Sequence, residues 1–297
     1  MVLLLALVMV GKAQQVLLGE DFNNGFPTTW YTVDNDGDGH NWGNFAMVGH
    51  TGAETDSCAT SKSYDGSTES ALHPDNWLIT PAVTIPAGSY PMLSFWVCAQ
   101  DASWPSEHYG VYVTTSNDYL NPNNYTLLFE ETLDANGGAR AQGAWKQKTA
   151  VLTAFAGQTV HIAFRHFNCT DMFYINLDDV AVEVITDPTL FVSPESLQFS
   201  AGQLGSNFGR KNISVNGVLL TDNVNISVPA TSPFSISTDT NAAYGKTVTL
   251  TPNSGSVSST VYVVFNPTTI GYYEENISIA SAGVATTNIP VKGLALN

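Results

Sequence analysis

Apolar residues in this chain recur in short runs, often at every second position, and no stretch keeps a helical period over three turns. Tyr109, Val111 and Val113 share one face of such a run; Val160, Ile162 and Phe164 share one face of another. Successive side chains of an extended strand point to opposite faces, so these runs predict half-buried strands. Met92–Ala99 is apolar on both faces and reads as a central strand of a sandwich. Phe173–Val184 reads as a long strand with Asp178 and Asp179 at its centre. Clusters of Gly, Pro, Asn, Asp and Ser separate the runs, and these residues favour turns. The expectation is an all-β chain whose first part is a two-sheet jelly-roll β-sandwich.

The pattern breaks at Thr186-Asp187-Pro188-Thr189, where Pro188 disfavours the α conformation before it. Short strands then follow at 190–192, 197–199, 212–215, 225–228, 247–251, 260–265, 276–279 and 288–291, a spacing that suits a smaller immunoglobulin-like β-sandwich. Residues 14–187 and 188–297 therefore read as two domains. They also differ in charge. The chain carries a net charge of −16, and residues 16–187, with 21 acidic and 5 basic side chains, hold almost all of it. This balance argues against nucleic acid and anionic membrane surfaces as partners. It also makes the first domain the place for cations.

Val2 to Val10 is an unbroken apolar run, too short to span a bilayer and suited to the core of a signal peptide. Gly11 and Ala13 supply small residues for cleavage before Gln14, so residues 1–13 read as a leader and the protein as exported, not membrane-inserted. The basic start of such a leader is missing, which points to a truncated or miscalled first residue. Cys58, Cys98 and Cys169 form an odd set: one disulfide with a free thiol and three unpaired thiols both stay open. No Cys-x-x-Cys occurs, which argues against zinc.

Asp34-Asn35-Asp36-Gly37-Asp38-Gly39-His40 places three carboxylates at alternate positions. Like charges so close need a cation between them, and calcium takes six to eight oxygen ligands. The stretch opens like an EF-hand loop, but the twelfth position is Phe45 where the bidentate Glu belongs. A calcium loop in a β domain remains. A second acidic pair of clusters, Glu20-Asp21-Phe22-Asn23 on the first strand and Asp178-Asp179 on the last, suggests another calcium tying the domain ends together.

Nothing catalytic assembles from the sequence. No Gly-x-Ser-x-Gly elbow is present, and Glu107-His108 lacks the second His of a zincin helix. Neighbours on a regular strand face opposite ways, so Asp178 and Asp179 cannot share a substrate without a bulge. His108, His161 and His166 read as structural strand or loop residues.

Glu20-Asp21-Phe22-x-x-Gly25-x-Pro27-x-x-Trp30, the 34–40 loop, Pro74-Asp75-Asn76-Trp77-Leu78-Ile79-Thr80-Pro81, Phe95-Trp96-Val97-Cys98-Ala99-Gln100-Asp101, Ser106-Glu107-His108-Tyr109, Trp145-Lys146-Gln147-Lys148-Thr149, Ala163-Phe164-Arg165-His166-Phe167 and 170–178 come in a definite order. Together they resemble the cleaved adhesin domain of gingipain and haemagglutinin proteins over residues 17–185. The resemblance implies a jelly roll with two structural calcium ions. One would be held by Asp34, Asp36, Asp38 and the His40 carbonyl, closed by carbonyls at Thr55 and Ser57. The other would be held by Asp21, Asn23, Asn76 and Asp178 or Asp179. Asn23 stands where the family usually has Glu, which implies a weaker second site. The implied function is non-catalytic adhesion to host extracellular or blood proteins, by a secreted or cell-surface protein. Trp104, in Asp101-Ala102-Ser103-Trp104-Pro105, is the candidate ligand contact, because Trp is favoured at binding hot spots. The rival expectations are a carbohydrate-binding module and an accessory domain of a secreted hydrolase or protease.

Overall fold

A computed structural model describes residues 15–46, 49–51, 56–133, 145–194 and 196–297. The expected leader, 1–13, and Thr55 lie outside them. The described residues separate into two compact units, divided between Val184 and Ile185.

In the first unit the early strands are β1 (Gln15–Glu20), β2 (Tyr31–Asp34), β3 (Gly43–Ala46), β4 (Ser57–Lys62), β5 (Tyr64–Asp65), β6 (Ser70–Ala71) and β7 (Asn76–Ile79). The later ones are β8 (Val83–Thr84), β9 (Tyr90–Ala99), β10 (His108–Thr114), β11 (Thr126–Thr132), β12 (Lys146–Val151), β13 (Thr159–His166) and β14 (Tyr174–Ile185). One sheet runs β12-β9-β14-β4-β3, with β1 also on β14; the other runs β11-β10-β13-β7-β2, with β8 on β13. The small β5–β6 hairpin stands apart from both.

The alternating runs meet between the sheets. Leu93, Phe95 and Val97 of β9 join Tyr109, Val111 and Val113 of β10 and Val160, Ile162 and Phe164 of β13 in one core. Phe95 sits at its centre, 5.0 Å from Phe164 and 6.2 Å from Tyr109 by ring centroid. Truncating such a residue to Ala costs about 3–5 kcal/mol. β9 lies inside its sheet, between β12 and β14, as expected of a central strand; on it Met92, Ser94 and Trp96 are half-buried while the intervening residues are buried. The His50 ring stacks on Trp96 at 4.6 Å.

β14 carries the feature that shapes the acidic end. Ile175 and Leu177 face the core at odd positions, whereas Val180 and Val182 face it at even ones. The phase slips at Asp179, whose φ of 45° is left-handed. There β14 changes partner, from Leu177 opposite Ala59 of β4 to Val180 opposite Glu20 of β1.

The second unit contains β15 (Thr189–Ser193), β16 (Leu197–Gln198), β17 (Gly202–Gln203), β18 (Arg210–Val218), β19 (Val224–Ser227), β20 (Phe234–Ser237), β21 (Thr247–Leu250), β22 (Val257–Phe265), β23 (Gly271–Ala280) and β24 (Thr287–Leu296). Sheets β15-β18-β22-β20 and β16-β24-β23-β19-β21, with β17 on β24, enclose a separate core that includes Phe199, Phe234 and Phe265. All eight strands expected here are present, and β17 and β20 are additional.

Candidate metal centres

The 34–40 loop leaves β2 at Asp34 and is pinned at once to the neighbouring strand. Asn35 N–H donates to the Asp75 carbonyl at 3.0 Å, and Asn35 Nδ2 donates to Asp75 Oδ2 at 2.7 Å. Asp75 is gripped by Arg165, through Nε at 2.6 Å and a terminal nitrogen at 2.8 Å. The loop then wraps around its first carboxylate. Gly37 N–H donates to Asp34 Oδ1 at 2.7 Å and Gly39 N–H to Oδ2 at 2.9 Å. Both glycines hold left-handed φ, 73° and 82°, which this tight wrap requires.

Asp34, Asp36 and Asp38 each bring an oxygen within 4.8 Å of the others. The electrostatics register the crowding. Partial burial, a hydrogen bond with Asp34 and the charge of Asp38 push the Asp36 carboxyl up to about 6. Burial acts to raise Asp34 too, but its bonds from Asp36 and the glycine amides leave it below its ordinary value. Three carboxylates this close repel one another unless a cation lies between them, so this donor set fits calcium. The His40 ring turns away, with Nε2 3.9 Å from Asp65.

Ser57 is not beside this loop. It opens β4, while Lys62, which pairs with Asp65 at 3.2 Å, ends it; six residues of strand span about 16 Å. Ser57 instead belongs to the second acidic cluster: its N–H donates to Asn23 Oδ1 at 2.8 Å. There the slip in β14 brings together two carboxylates that a regular strand would separate. His50 Nδ1 lies 3.3 Å from Asp178 and 3.2 Å from Asp179, and His50 N–H donates to Asp178 at 2.8 Å.

Asp56, which the sequence reading passed over although both its neighbours were named, joins this group. Ligand atoms of His50, Asp56 and Asp178 lie within 4.8 Å of one another. Gly49 packs against the Asp56 carboxylate with no room for a β-carbon. Burial, with the charges of Asp179 and Asp56, pushes Asp178 up to about 6 despite amide bonds from His50 and Asp179. Burial also raises Asp179, against the pull of His50 and with the charges of Asp56 and Asp21. The first unit's first and last strands thus meet at a partly buried concentration of negative charge that fits a hard cation.

Asn76 is not brought to this second cluster. It lies in the opposite sheet, in register with Asp34, and its Nδ2 donates to Ser61 Oγ at 3.1 Å. Its Oδ1 is buried without a hydrogen-bond partner. Trp104 stands out from a turn closed by its N–H to the Asp101 carbonyl at 3.1 Å, and its side chain is 54% exposed. The three cysteines are free.

The family model of the Cleaved Adhesin Domain matches residues 15–182. Lys-gingipain W83 of Porphyromonas gingivalis is 38% identical over 271 residues, covering 79% of this chain and 15% of that protein. Hemagglutinin A of the same organism is 39% identical over 271 residues, covering 79% and 10%. The solved K1 Cleaved Adhesin domain of Lys-gingipain is 45% identical, with a TM-score of 0.49, covering 57% of this chain and 98% of that domain. The chain thus spans 10–15% of the length of those two curated relatives.

Proposed function

Because the chain belongs to the cleaved adhesin family, we propose that it is an exported, calcium-stabilised binding module that recognises host extracellular or blood proteins without catalysis. The observation that carries the calcium reading is the pair of acidic clusters, each with a carboxyl pushed up to about 6 by its neighbours and by burial. In the first, Asp34, Asp36 and Asp38 would hold the ion, with the His40 carbonyl. In the second, Asp56, Asp178 and Asp179 would hold it, with Asp21 and Asn23 at the margin. When bound, calcium supplies positive charge and fixed coordination. The chain's own work is to present the loops that touch a partner.

Trp104 is the proposed anchor of that contact. The test immobilises the full chain and offers a panel of matrix and blood proteins, with calcium and with chelator. Retention should require calcium. Trp104→Ala should cost about 2 kcal/mol, roughly thirtyfold in Kd, with unchanged melting. Failure to retain any protein, or retention indifferent to both changes, would overturn the reading.

A glycan is the second reading, favoured by a groove of about 410 Å³ whose lining includes Asn117, Tyr119, Gln158, Thr159 and His161. Tyr119 stacks on His161 there at 4.0 Å. Aromatic faces beside amide and hydroxyl groups suit a neutral sugar. A glycan array in parallel with the protein panel separates the two readings.

A further inference from the structure

A third cluster shares no residue with the two acidic ones and contains a different set of donors. Glu107 precedes β10, His166 ends β13, and register pairs Tyr109 with His166, so the two meet across the strands. After His166 the chain turns back: Asn168 and Asp171 hold left-handed φ of 53° and 56°, and Cys169 returns to the histidine three residues before it. Glu107 Oε2 lies 2.9 Å from His166 Nε2, and Cys169 Sγ lies 3.3 Å from that oxygen and 3.1 Å from that nitrogen.

Each of the two buried ligands is anchored through its other atom. His166 Nδ1 meets Ser61 Oγ at 2.8 Å. Glu107 Oε1 accepts from Ser63 Oγ at 2.9 Å and from Phe173 N–H at 2.8 Å. What remains free on each converges on the same point as the thiol sulfur. Outer partners that fix the orientation of a ligating imidazole and carboxylate are the mark of a metal site. Glu107 and His166 are fully buried, while Cys169 is partly exposed and leaves a way in.

A nucleophilic cysteine does not fit this arrangement. Sulfur and carboxylate compete for the same imidazole nitrogen, and the carboxylate opposes a free thiolate. Burial and the charge of Glu107 push the thiol well above its ordinary value. A divalent cation removes the conflict. It replaces the thiol proton and the proton between Glu107 and His166, and its two positive charges balance the thiolate and carboxylate.

We propose that Glu107, His166 and Cys169 bind a zinc-class divalent cation, with water as the fourth ligand. Ligand edges in a tetrahedral zinc site are about 3.3–3.6 Å, a few tenths of an ångström beyond the contacts seen here. The mixed sulfur, nitrogen and oxygen set selects zinc over calcium. No Cys-x-x-Cys pair is needed, because the strand register supplies the third ligand.

The test uses the full chain saturated with calcium, which fills the oxygen sites. Equilibrium dialysis should then find one further Zn²⁺ per chain. Replacing zinc with Co²⁺ should give a thiolate-to-cobalt charge-transfer band and the strong visible absorption of tetrahedral cobalt. Cys169→Ser should abolish the band, whereas Cys58→Ala and Cys98→Ala should keep it. Ser61→Ala should weaken zinc about tenfold while retaining the band. Wild-type protein that binds no zinc, binds it without a thiolate band, or keeps the band in Cys169→Ser would overturn the proposal. The wild-type spectrum decides even if a variant fails to fold.

Discussion

Asp36→Asn should have opposite effects with and without calcium. In the calcium-free chain Asp36 is a carboxylate held against its interest: its value moves from 3.8 to about 6 through partial burial, its bond with Asp34 and the charge of Asp38. Without solvent screening, a rise of about 2 pH units corresponds to roughly 3 kcal/mol of unfavourable interaction. The side chain is exposed, so solvent screening reduces this to about 1 kcal/mol. The sign follows from proton binding. A carboxyl with a raised folded-state value binds its proton more tightly when folded, so calcium-free stability falls as pH rises from 3.8 to about 6.

Asparagine keeps a donor for Asp34 and removes the charge. At pH 7.5 with chelator, the variant should therefore melt about 2–4 °C higher. With calcium the same change deletes a charged ligand. A hundredfold loss of affinity costs about 2.7 kcal/mol under saturating calcium, which outweighs the gain and lowers melting by about 3–7 °C. Calorimetry of the full chain reads both, the first unit's transition being assigned by its response to calcium. A shift of the same sign in both conditions would refute the argument, because it would mean that Asp36 acts as a turn residue and not as a ligand.

Chelation of the wild-type chain should lower the first unit's transition by several degrees, at about 2.7 kcal/mol per site held at a hundred times its Kd, and leave the second unit nearly unchanged; equal melting would count against calcium. Gly293→Ala should do the reverse. A β-carbon there would come 2.6 Å from a ring carbon of Phe265, which is boxed in by Phe199, Phe208, Phe234 and Tyr273 and cannot retreat. The expected cost is about 1–3 kcal/mol, read as a drop in the second transition alone. Arg165→Lys should cost the first unit about 1–2 kcal/mol. It loses the two-pronged grip on Asp75 and the planar group lying 4.1 Å over Phe167 and 5.1 Å over Trp77. Unchanged chemical denaturation would refute that estimate.

The strands were legible wherever side-chain alternation reports burial. Tyr109, Val111 and Val113, and Val160, Ile162 and Phe164, face the core as their spacing predicted. β20 escaped notice because Phe234-Ser235-Ile236-Ser237 is only four residues long and follows Thr231-Ser232-Pro233, a turn-like stretch. β17 has two residues and so no period at all. The 34–40 loop was legible because its ligands are contiguous. The second cluster was only half legible: Asp56 stood unnoticed between two named neighbours, and Asn76 went elsewhere. The Glu107, His166 and Cys169 cluster depends on strand register that brings together two residues 59 apart in the sequence, with His-x-x-Cys as its one local trace. A pattern of residue types carries faces and turns. It does not carry which loop ends a given register brings together.

The slip at Asp179 shows how that register turns into chemistry. On a regular strand Asp178 and Asp179 would point to opposite faces, one toward the core and one toward solvent. A left-handed residue between Leu177 and Val180 costs local backbone strain, and Asp tolerates it better than the β-branched residues around it. The slip lets β14 pair with β4 before it and β1 after it, so the first unit's first and last strands lie side by side in one sheet. It also turns both carboxylates toward His50, Asp56 and the end of β1. A sandwich whose terminal strands meet at crowded carboxylates opens most easily there. A cation at that seam would act on closure of the domain, and its effect on Trp104, in a loop far along the sequence, would follow from the integrity of the sheets and not from direct contact. Calcium dependence of partner binding should therefore parallel calcium dependence of melting across variants of Asp34, Asp36, Asp178 and Asp179. A variant that loses binding at full stability would place the ion in the contact surface instead.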